Sequence, residues 1–284
     1  MIDLHTHSTY SDGTLTPAEL VELSVRNGLS AVALCDHNTV AGLKEFLEAA
    51  KNAPVTPVPG VEFSTDYEGT ELHILALFVQ PEDYAPITAL LEQMLQAKEQ
   101  SNIGLIRALK PAGIDLDFGS IKAGTPNAQV NRAVIAAEMV RKGYCRSVKE
   151  AFSQWLSPKQ GFYVPPKRLD VFEVIRFIRS LGAVAILAHP FLNLDEARLR
   201  VFLKEARNCG LDGMEVYYPL FDKEKTALAE EIAEEYGLLK SGGSDFHGEN
   251  KPDISLGTGK GNIQICDDIL VKLQLQNVEN KMPR

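Results

Sequence analysis

Six histidines and three carboxylates follow a pattern that points to metal chemistry. His5 and His7 are separated by one residue in a β-type run, so both side chains would leave the same face and could converge on one ion. The other histidines each follow or lie within a further β-type run, and Asp12, Glu62 and Asp245 fall in or just after such runs. The candidate ligands are therefore His5, His7, Asp12, His37, Glu62, His73, His189, Asp245 and His247.

This donor set indicates more than one ion. A single tetrahedral or octahedral ion cannot accept so many ligands, so a cluster of two or three divalent ions is expected. Imidazole and carboxylate together suit zinc, manganese or iron, whereas an all-oxygen magnesium or calcium site would not use so many histidines. Taken alone, Asp12 could be a turn residue and His73 a hydrogen-bonded core histidine. Taken jointly, that explanation needs a separate coincidence at every position, and we expect a metal centre.

The segments that carry these residues alternate as βα units do. Residues 1–8 form a predicted strand, and Thr16-Pro17-Ala18-Glu19 is a capping box that predicts a helix ending near Gly28. A second helix is predicted to be capped by Thr39. Further strands are predicted over residues 29–35, 58–64, 72–79, 183–188, 213–218 and 238–241. In a parallel barrel the carboxyl ends of the strands meet at one face, although His5 and His7 lie well inside the first predicted strand.

The middle of the chain differs from both ends. From about residue 81 to the Pro165-Pro166 pair the pattern is helical with no strand between, and strand–helix alternation then resumes. This organisation favours an α/β fold in which one βα barrel, residues 1–85 and 170–284, is interrupted by a helical insertion, residues 86–169.

Composition excludes several classes of protein. The formal charge of −9 opposes sequence-independent binding to a long nucleic acid. The apolar runs are too short to cross a bilayer, and the start of the chain has no secretory pattern, so we expect no membrane contact and a cytoplasmic location. The four cysteines are scattered and are expected to be free thiols.

Six motifs in the sequence, taken in combination, are specific for one superfamily. DLHTHSTYSDGTLTP, LCDHNTVAG, PGVEFS, ELHILAL, AHP and SDFH resemble the PHP (polymerase and histidinol phosphatase) superfamily, over residues 1–80 and about 180–260. The resemblance implies a distorted (β/α)7 barrel with a trinuclear metal centre. Position by position, it implies one ion on His5, His7, Glu62 and Asp245, a second on Asp12, His37 and His247, and a third on Glu62, His73 and His189. A hydroxide held among the ligands of the first two ions would be the nucleophile.

A charge count favours phosphate as the target of such a centre. Three divalent ions and three carboxylates leave a charge of about +3, which attracts a phosphate dianion even inside an acidic protein. An uncharged amide would use this field less well.

The middle segment, VRKGYCRSVKEAFSQWLSPKQGFYVPPKRLDVFEVIRFIRSLGAVAILAHP, resembles a subgroup of nucleotide phosphatases and short-oligonucleotide 5′-exonucleases. In that subgroup an Arg-Pro-His motif helps to bind the substrate phosphate. Here the residues are Asn131-Arg132-Ala133-Val134, and Tyr218 stands where relatives often have histidine. We expect Arg132 to contact substrate, with Lys167, Tyr163 and Tyr218 as further candidates.

The expected function is hydrolysis of phosphomonoesters of nucleotides, either nucleoside monophosphates or 3′,5′-bisphosphates, or of the 5′ ends of short oligonucleotides. The insertion would act as a lid over the active site and recognise the non-reacting part of the substrate. The alternatives are an amidohydrolase-like metal hydrolase, a histidinol phosphatase and a non-catalytic metal-binding module.

Overall fold

The computed structural model describes residues 1–125, 130–166 and 168–282. The chain divides into two units, one formed by Met1–Thr88 with Leu169–Arg284 and the other by Ala89–Arg168. Among the described residues, no helix has both the length and the apolar character needed to cross a bilayer.

Strands and helices alternate in the first unit, whereas helices dominate the second. The strands are β1 (Ile2–Asp3), β2 (Ala31–Leu34), β3 (Thr56–Tyr67), β4 (Thr70–Leu77), β5 (Leu169–Asp170), β6 (Val184–Leu187), β7 (Gly213–Tyr217) and β8 (Leu239–Gly242). The helices are α1 (Pro17–Arg26), α2 (Leu43–Ala50), α3 (Tyr84–Leu109), α4 (Phe118–Ala123), α5 (Arg132–Arg141), α6 (Val148–Ala151), α7 (Val171–Ser180), α8 (Glu196–Cys209), α9 (Lys223–Glu235) and α10 (Asp267–Asn280).

Seven strands form a nearly closed barrel in the order β1-β2-β3-β4-β6-β7-β8, while the short β5 pairs with the end of β3. The end of β8 and the residues after it close the ring against the chain after β1, because the Leu4 N–H donates to the Gly242 carbonyl and the His7 N–H to the Phe246 carbonyl. Buried aliphatic side chains fill the barrel, among them Ile2, Leu4, Val58, Leu75, Leu77, Val184, Ile186 and Ile265. The predicted α/β barrel is confirmed.

β4 departs from the parallel pattern expected for the first third of the chain. It runs antiparallel to β3 and to β6. Only Glu68 and Gly69 separate β3 from β4, and both have positive φ angles of 51° and 80°. A two-residue connection of this kind makes a hairpin, since a parallel crossover needs a dozen residues or more.

The helix termini test the capping predictions. α1 begins as expected: the Thr16 side chain accepts from the Glu19 N–H, and the Glu19 carboxylate accepts from the Thr16 N–H. The prediction for α2 is wrong, because this helix begins after Gly42 and the Thr39 hydroxyl instead accepts from the Ala41 N–H at 3.2 Å in the preceding turn.

The second unit has its own apolar core. The end of α3 packs with α4, α5 and the turns that follow, and the buried side chains include Leu105, Leu109, Ile121, Ile135, Met139 and Leu156. Side-chain caps at Asp117, Asn131 and Ser147 begin its later helices. Within the described residues of this unit the regular elements are all helical, as the sequence pattern predicts.

Candidate metal centre

The candidate ligands collect at the end of the barrel where the parallel strands finish. The expectation that His5 and His7 lie well inside the first strand is wrong, because β1 ends at Asp3 and both follow it. His37 and His189 come shortly after β2 and β6, as expected for a parallel barrel.

β3 and β4 supply the remaining side of the site. β3 is longer than its parallel neighbours, and Glu62 lies in its middle, opposite His37 in an isolated parallel bridge. His73 lies near the start of the antiparallel β4, so it reaches the same end of the barrel from the opposite chain direction.

Glu62 is the centre of the cluster. Its side chain is fully buried, and its Oε1 lies 2.8 Å from His73 Nδ1 while its Oε2 lies 2.9 Å from His37 Nδ1. Three further imidazole Nε2 atoms lie 3.2 or 3.3 Å from its oxygens, those of His5, His7 and His189. One carboxylate thus meets five of the six histidines.

Two more carboxylates complete the arrangement. Asp245 Oδ1 lies 3.2 Å from His7 Nε2 and 3.4 Å from His247 Nδ1. Asp12 Oδ1 lies 3.2 Å from His247 Nε2, and its Oδ2 lies 3.8 Å from His37 Nε2. The candidate ligands form three groups, and within each group the potential ligand atoms all lie within 4.8 Å of one another. The groups are His7, Asp12, His37 and His247; His5, His7 and Asp245; and His37, Glu62 and His73.

These side chains fit divalent ions. His7 Nδ1 is buried without a hydrogen-bond partner, and His37 Nδ1 and Glu62 Oε2 form no hydrogen bond although they are 2.9 Å apart. Such atoms are unusual in a protein interior, and coordination to an ion would satisfy them. His5 Nε2 and His7 Nε2 are 3.1 Å apart, and each is 3.3 Å from Glu62 Oε2. A tetrahedral ion with bonds of 2.0–2.1 Å separates its ligand atoms by about 3.3 Å, so this spacing is compatible with coordination of a divalent ion.

The electrostatics of the metal-free cluster follow from burial and crowding. Burial alone would raise the pKa of Glu62, but the neighbouring histidines His37 and His5 hold it well below its usual value. Burial lowers the pKa of His7 to about 3, with His37 acting in the same direction. Burial would also lower the pKa of His73, but Glu62 raises it to about 10. His7 is therefore neutral at physiological pH, whereas an ion that used His73 Nδ1 would have to displace a proton.

The sequence interpretation missed Glu215, which lies in β7 and is fully buried. Its Oε1 accepts from His5 Nδ1 at 2.9 Å, and its Oε2 accepts from the His189 N–H at 2.7 Å. A carboxylate on the outer nitrogen fixes the tautomer of a ligating histidine and leaves Nε2 free for the ion. The available signal was a charged residue within the apolar strand GMEVY.

Asp245 also accepts hydrogen bonds from residues that are not candidate ligands. The Tyr218 hydroxyl donates to its Oδ2 at 2.8 Å, and the Lys251 ammonium donates to the same oxygen at 2.6 Å. The structure therefore places Tyr218, a predicted substrate contact, beside a candidate ligand, and adds Lys251, which sequence reasoning missed.

The other predicted substrate contacts lie in the second unit or outside the described residues. The Arg132 guanidinium carbon is 4.3 Å from the centroid of the Tyr163 ring, and Nη1 donates to the Leu156 carbonyl at 3.2 Å. Arg132 and Tyr163 are thus brought together, whereas Lys167 lies outside the described residues.

A barrel with a histidine–carboxylate cluster at the carboxyl end of its strands defines a metal-dependent hydrolase. The PHP domain family matches residues 3–154, and the chain belongs to this family, which confirms the resemblance seen in the motifs.

Relatives and solved structures agree with this assignment. The chain is 34% identical to a 5′-3′ exoribonuclease of Haemophilus influenzae over 246 residues, 86% of this chain and 89% of the relative. It is 28% identical to a 3′,5′-nucleoside bisphosphate phosphatase of Chromobacterium violaceum over 278 residues, 96% of each chain. A structure described as a metal-dependent phosphoesterase of Bifidobacterium adolescentis superposes with a TM-score of 0.79 at 27% identity, over 97% of this chain and 96% of the other. The protein is a hydrolase of phosphate esters.

Proposed function

We propose that the protein is a nucleotide phosphatase that releases phosphate from nucleoside monophosphates or 3′,5′-bisphosphates, with two or three bound divalent ions. The observation that carries the proposal is the convergence of five histidines on one buried carboxylate, Glu62, at the end of the barrel, with His247 joined to the cluster through Asp12 and Asp245. The relative from Chromobacterium violaceum supports this choice of substrate, since it matches over nearly the whole chain.

The proposed ligand sets are those that the motifs imply. They are His5, His7, Glu62 and Asp245 for one ion, Asp12, His37 and His247 for a second, and Glu62, His73 and His189 for a third. When bound, zinc, manganese or iron would lower the pKa of coordinated water and neutralise charge on a phosphate.

Other residues of the chain orient the proposed ligands. Glu215 orients His5 so that Nε2 faces the cluster, and it fixes the backbone at His189. Burial raises the pKa of Tyr218 well above its usual value, and Asp245 acts in the same direction, so the hydroxyl remains a donor to Asp245 at neutral pH. These contacts hold the ligands in place before substrate binds, which is how a preorganised site lowers its barrier.

Substrate would approach from the side of Asp12. The side chains of His5 and His7 are 0% exposed, whereas those of His37 and Asp12 are 25% and 54% exposed. Arg132 and Tyr163 stay our candidates for contacts between the insertion and the non-reacting part of the substrate, because their stacked side chains combine a cation with an aromatic ring.

A short 5′-phosphorylated oligoribonucleotide is the second candidate substrate. The observation that favours it is the 34% identity to the exoribonuclease of Haemophilus influenzae. Both reactions would add water across a P–O bond, but the first hydrolyses a phosphomonoester and releases phosphate, whereas the second hydrolyses the diester next to the 5′-terminal nucleotide and releases a mononucleotide.

The test begins with metal analysis of the purified protein. Phosphate release is then measured from AMP and adenosine 3′,5′-bisphosphate, and mononucleotide release from a 5′-phosphorylated triribonucleotide, before and after chelation. We expect release that chelation abolishes and divalent ions restore. Asp245→Asn should abolish release, whereas Asp268→Asn on the exposed face of α10 should match the wild type. Ammonia release from amides without any phosphate release would show the proposal to be wrong.

A further inference from the structure

A cavity of about 220 Å³ opens beside the candidate metal centre, and its walls come from two loops of the barrel. The loop after β7 supplies Pro219 and Leu220, and the loop after β8 supplies Pro252 and Ile254. This volume is smaller than the roughly 300–1,000 Å³ that encloses a whole drug-sized ligand. The cavity can therefore receive one portion of a larger molecule.

The cavity adjoins the metal centre through one carboxylate. Asp245 lines the cavity, and its Oδ1 lies 3.2 Å from His7 Nε2, whereas its Oδ2 accepts from Lys251 Nζ at 2.6 Å. A ligand in the cavity is therefore separated from the histidine cluster by the width of a carboxylate group.

Two lysines, Lys251 and Lys260, line the cavity. An ammonium group has three donors, so the bond from Lys251 to Asp245 leaves two of them for a ligand. Asp253 also lines the cavity. Ions bound at the centre would neutralise Asp245. Lys251, Lys260 and Asp253 would then give the cavity a net charge of +1.

We propose that this cavity is the subsite for a second, non-reacting phosphate on the sugar of a nucleotide substrate, with Lys251 and Lys260 as its cationic contacts. The apolar walls would cover the sugar and exclude water, which strengthens attraction between ammonium and phosphate. This inference rests on the proposed function, because the reacting phosphate at the histidine cluster is what places the second phosphate next to it. It predicts a preference for bisphosphorylated over monophosphorylated nucleotides.

The test compares kcat/KM for adenosine 3′,5′-bisphosphate with kcat/KM for AMP in the metal-loaded protein. Lys260→Ala should lower the ratio of the two values about tenfold, through KM for the bisphosphate, since a hydrogen bond to a charged group is lost. Lys260→Arg should keep most of the ratio. Lys204→Ala, which removes the same charge from the exposed face of α8, should keep the wild-type ratio.

Lys251→Ala separates substrate binding from a role in holding Asp245. The subsite predicts that the ratio falls, whereas equal losses with both substrates would show that Lys251 acts only through Asp245. The proposal is overturned if the ratio is unchanged in Lys260→Ala and Lys251→Ala while circular dichroism shows both variants to be folded.

A failure of the proposed function would be distinguishable. If the wild type releases phosphate from neither nucleotide, binding of adenosine 3′,5′-bisphosphate to the metal-loaded protein can be measured by calorimetry without turnover. A Kd about tenfold weaker in Lys260→Ala than in Lys204→Ala would support the subsite. Equal values would refute it independently of catalysis.

Discussion

Replacing Glu215 by glutamine tests whether this buried carboxylate sets the metal affinity of the centre. Both of its oxygens accept from N–H groups, one from His5 Nδ1 and one from the His189 backbone. The His189 N–H can only donate, so in the variant the glutamine side-chain oxygen should accept from it. The glutamine NH₂ group should then face His5. The His5 ring must then accept at Nδ1 and carry its proton on Nε2, the atom that faces Glu62 and His7.

The magnitude follows from that change of tautomer. Loss of an outer partner of a ligating histidine typically weakens metal binding by 10- to 100-fold. Because Glu215 is fully buried, we expect the upper end of this range, about 100-fold or about 2.7 kcal/mol. Only the ion that uses His5 should be affected strongly.

The assay is competition between the metal-stripped protein and a chromophoric zinc chelator, with mass-spectrometric counting of the ions retained. Glu230→Gln is the matched control, because Glu230 also accepts two hydrogen bonds, from the Tyr217 hydroxyl and Lys240, but lies outside the cluster. The reasoning would be refuted by a folded Glu215→Gln protein that binds every ion as tightly as this control.

Three further results are expected. His7→Ala should reduce phosphate release by more than about 100-fold, beyond the usual effect of an outer partner, with the circular dichroism spectrum retained; full activity would exclude His7 as a ligand. Tyr218→Phe should lower kcat/KM about tenfold by removing one donor to Asp245, and wild-type kinetics would contradict that role. In metal-free protein, burial lowers the pKa of His73, but Glu62 and Glu71 together raise it from 6.5 to about 10, so the contribution of this histidine to stability is present below about 6.5 and is lost as pH rises towards about 10. The urea midpoint of chelator-treated protein should fall across that window, and a flat profile would argue against the ion pair.

Local chemistry made much of the barrel predictable. The Thr16–Glu19 box predicted the start of α1 because each side chain satisfies a backbone N–H of the other. The same reasoning was wrong at Thr39, where a hydroxyl bonds within a turn and the helix begins later. A lone threonine offers one acceptor and no reciprocal partner, so it specifies a helix terminus less strongly than the box does.

The direction of β4 was harder to predict, although the sequence contains its cause. Glu68-Gly69 joins two β-type runs with a two-residue turn, which requires a hairpin. His73 nevertheless lies beside Glu62 of β3. Because β4 is antiparallel, the start of β4, which contains His73, lies at the end of the barrel where the parallel strands finish. A site argument based on parallel strand ends therefore led to His73 by a wrong route, and the structure places this residue beside Glu62 through an antiparallel strand.

Glu215 shows where the sequence interpretation of the centre stopped. The candidate carboxylates lay in or just after β-type runs, and Glu215, inside the largely buried strand β7, was not among them. A carboxylate in such a strand is costly unless it is paired, so its presence in GMEVY already implied a buried partner. The partner could not be named, because His5 is 210 residues away in the chain and meets it only when the barrel closes. A charged residue in an apolar barrel strand should therefore be considered with the ligands, as the group that decides which histidine nitrogen is free to bind.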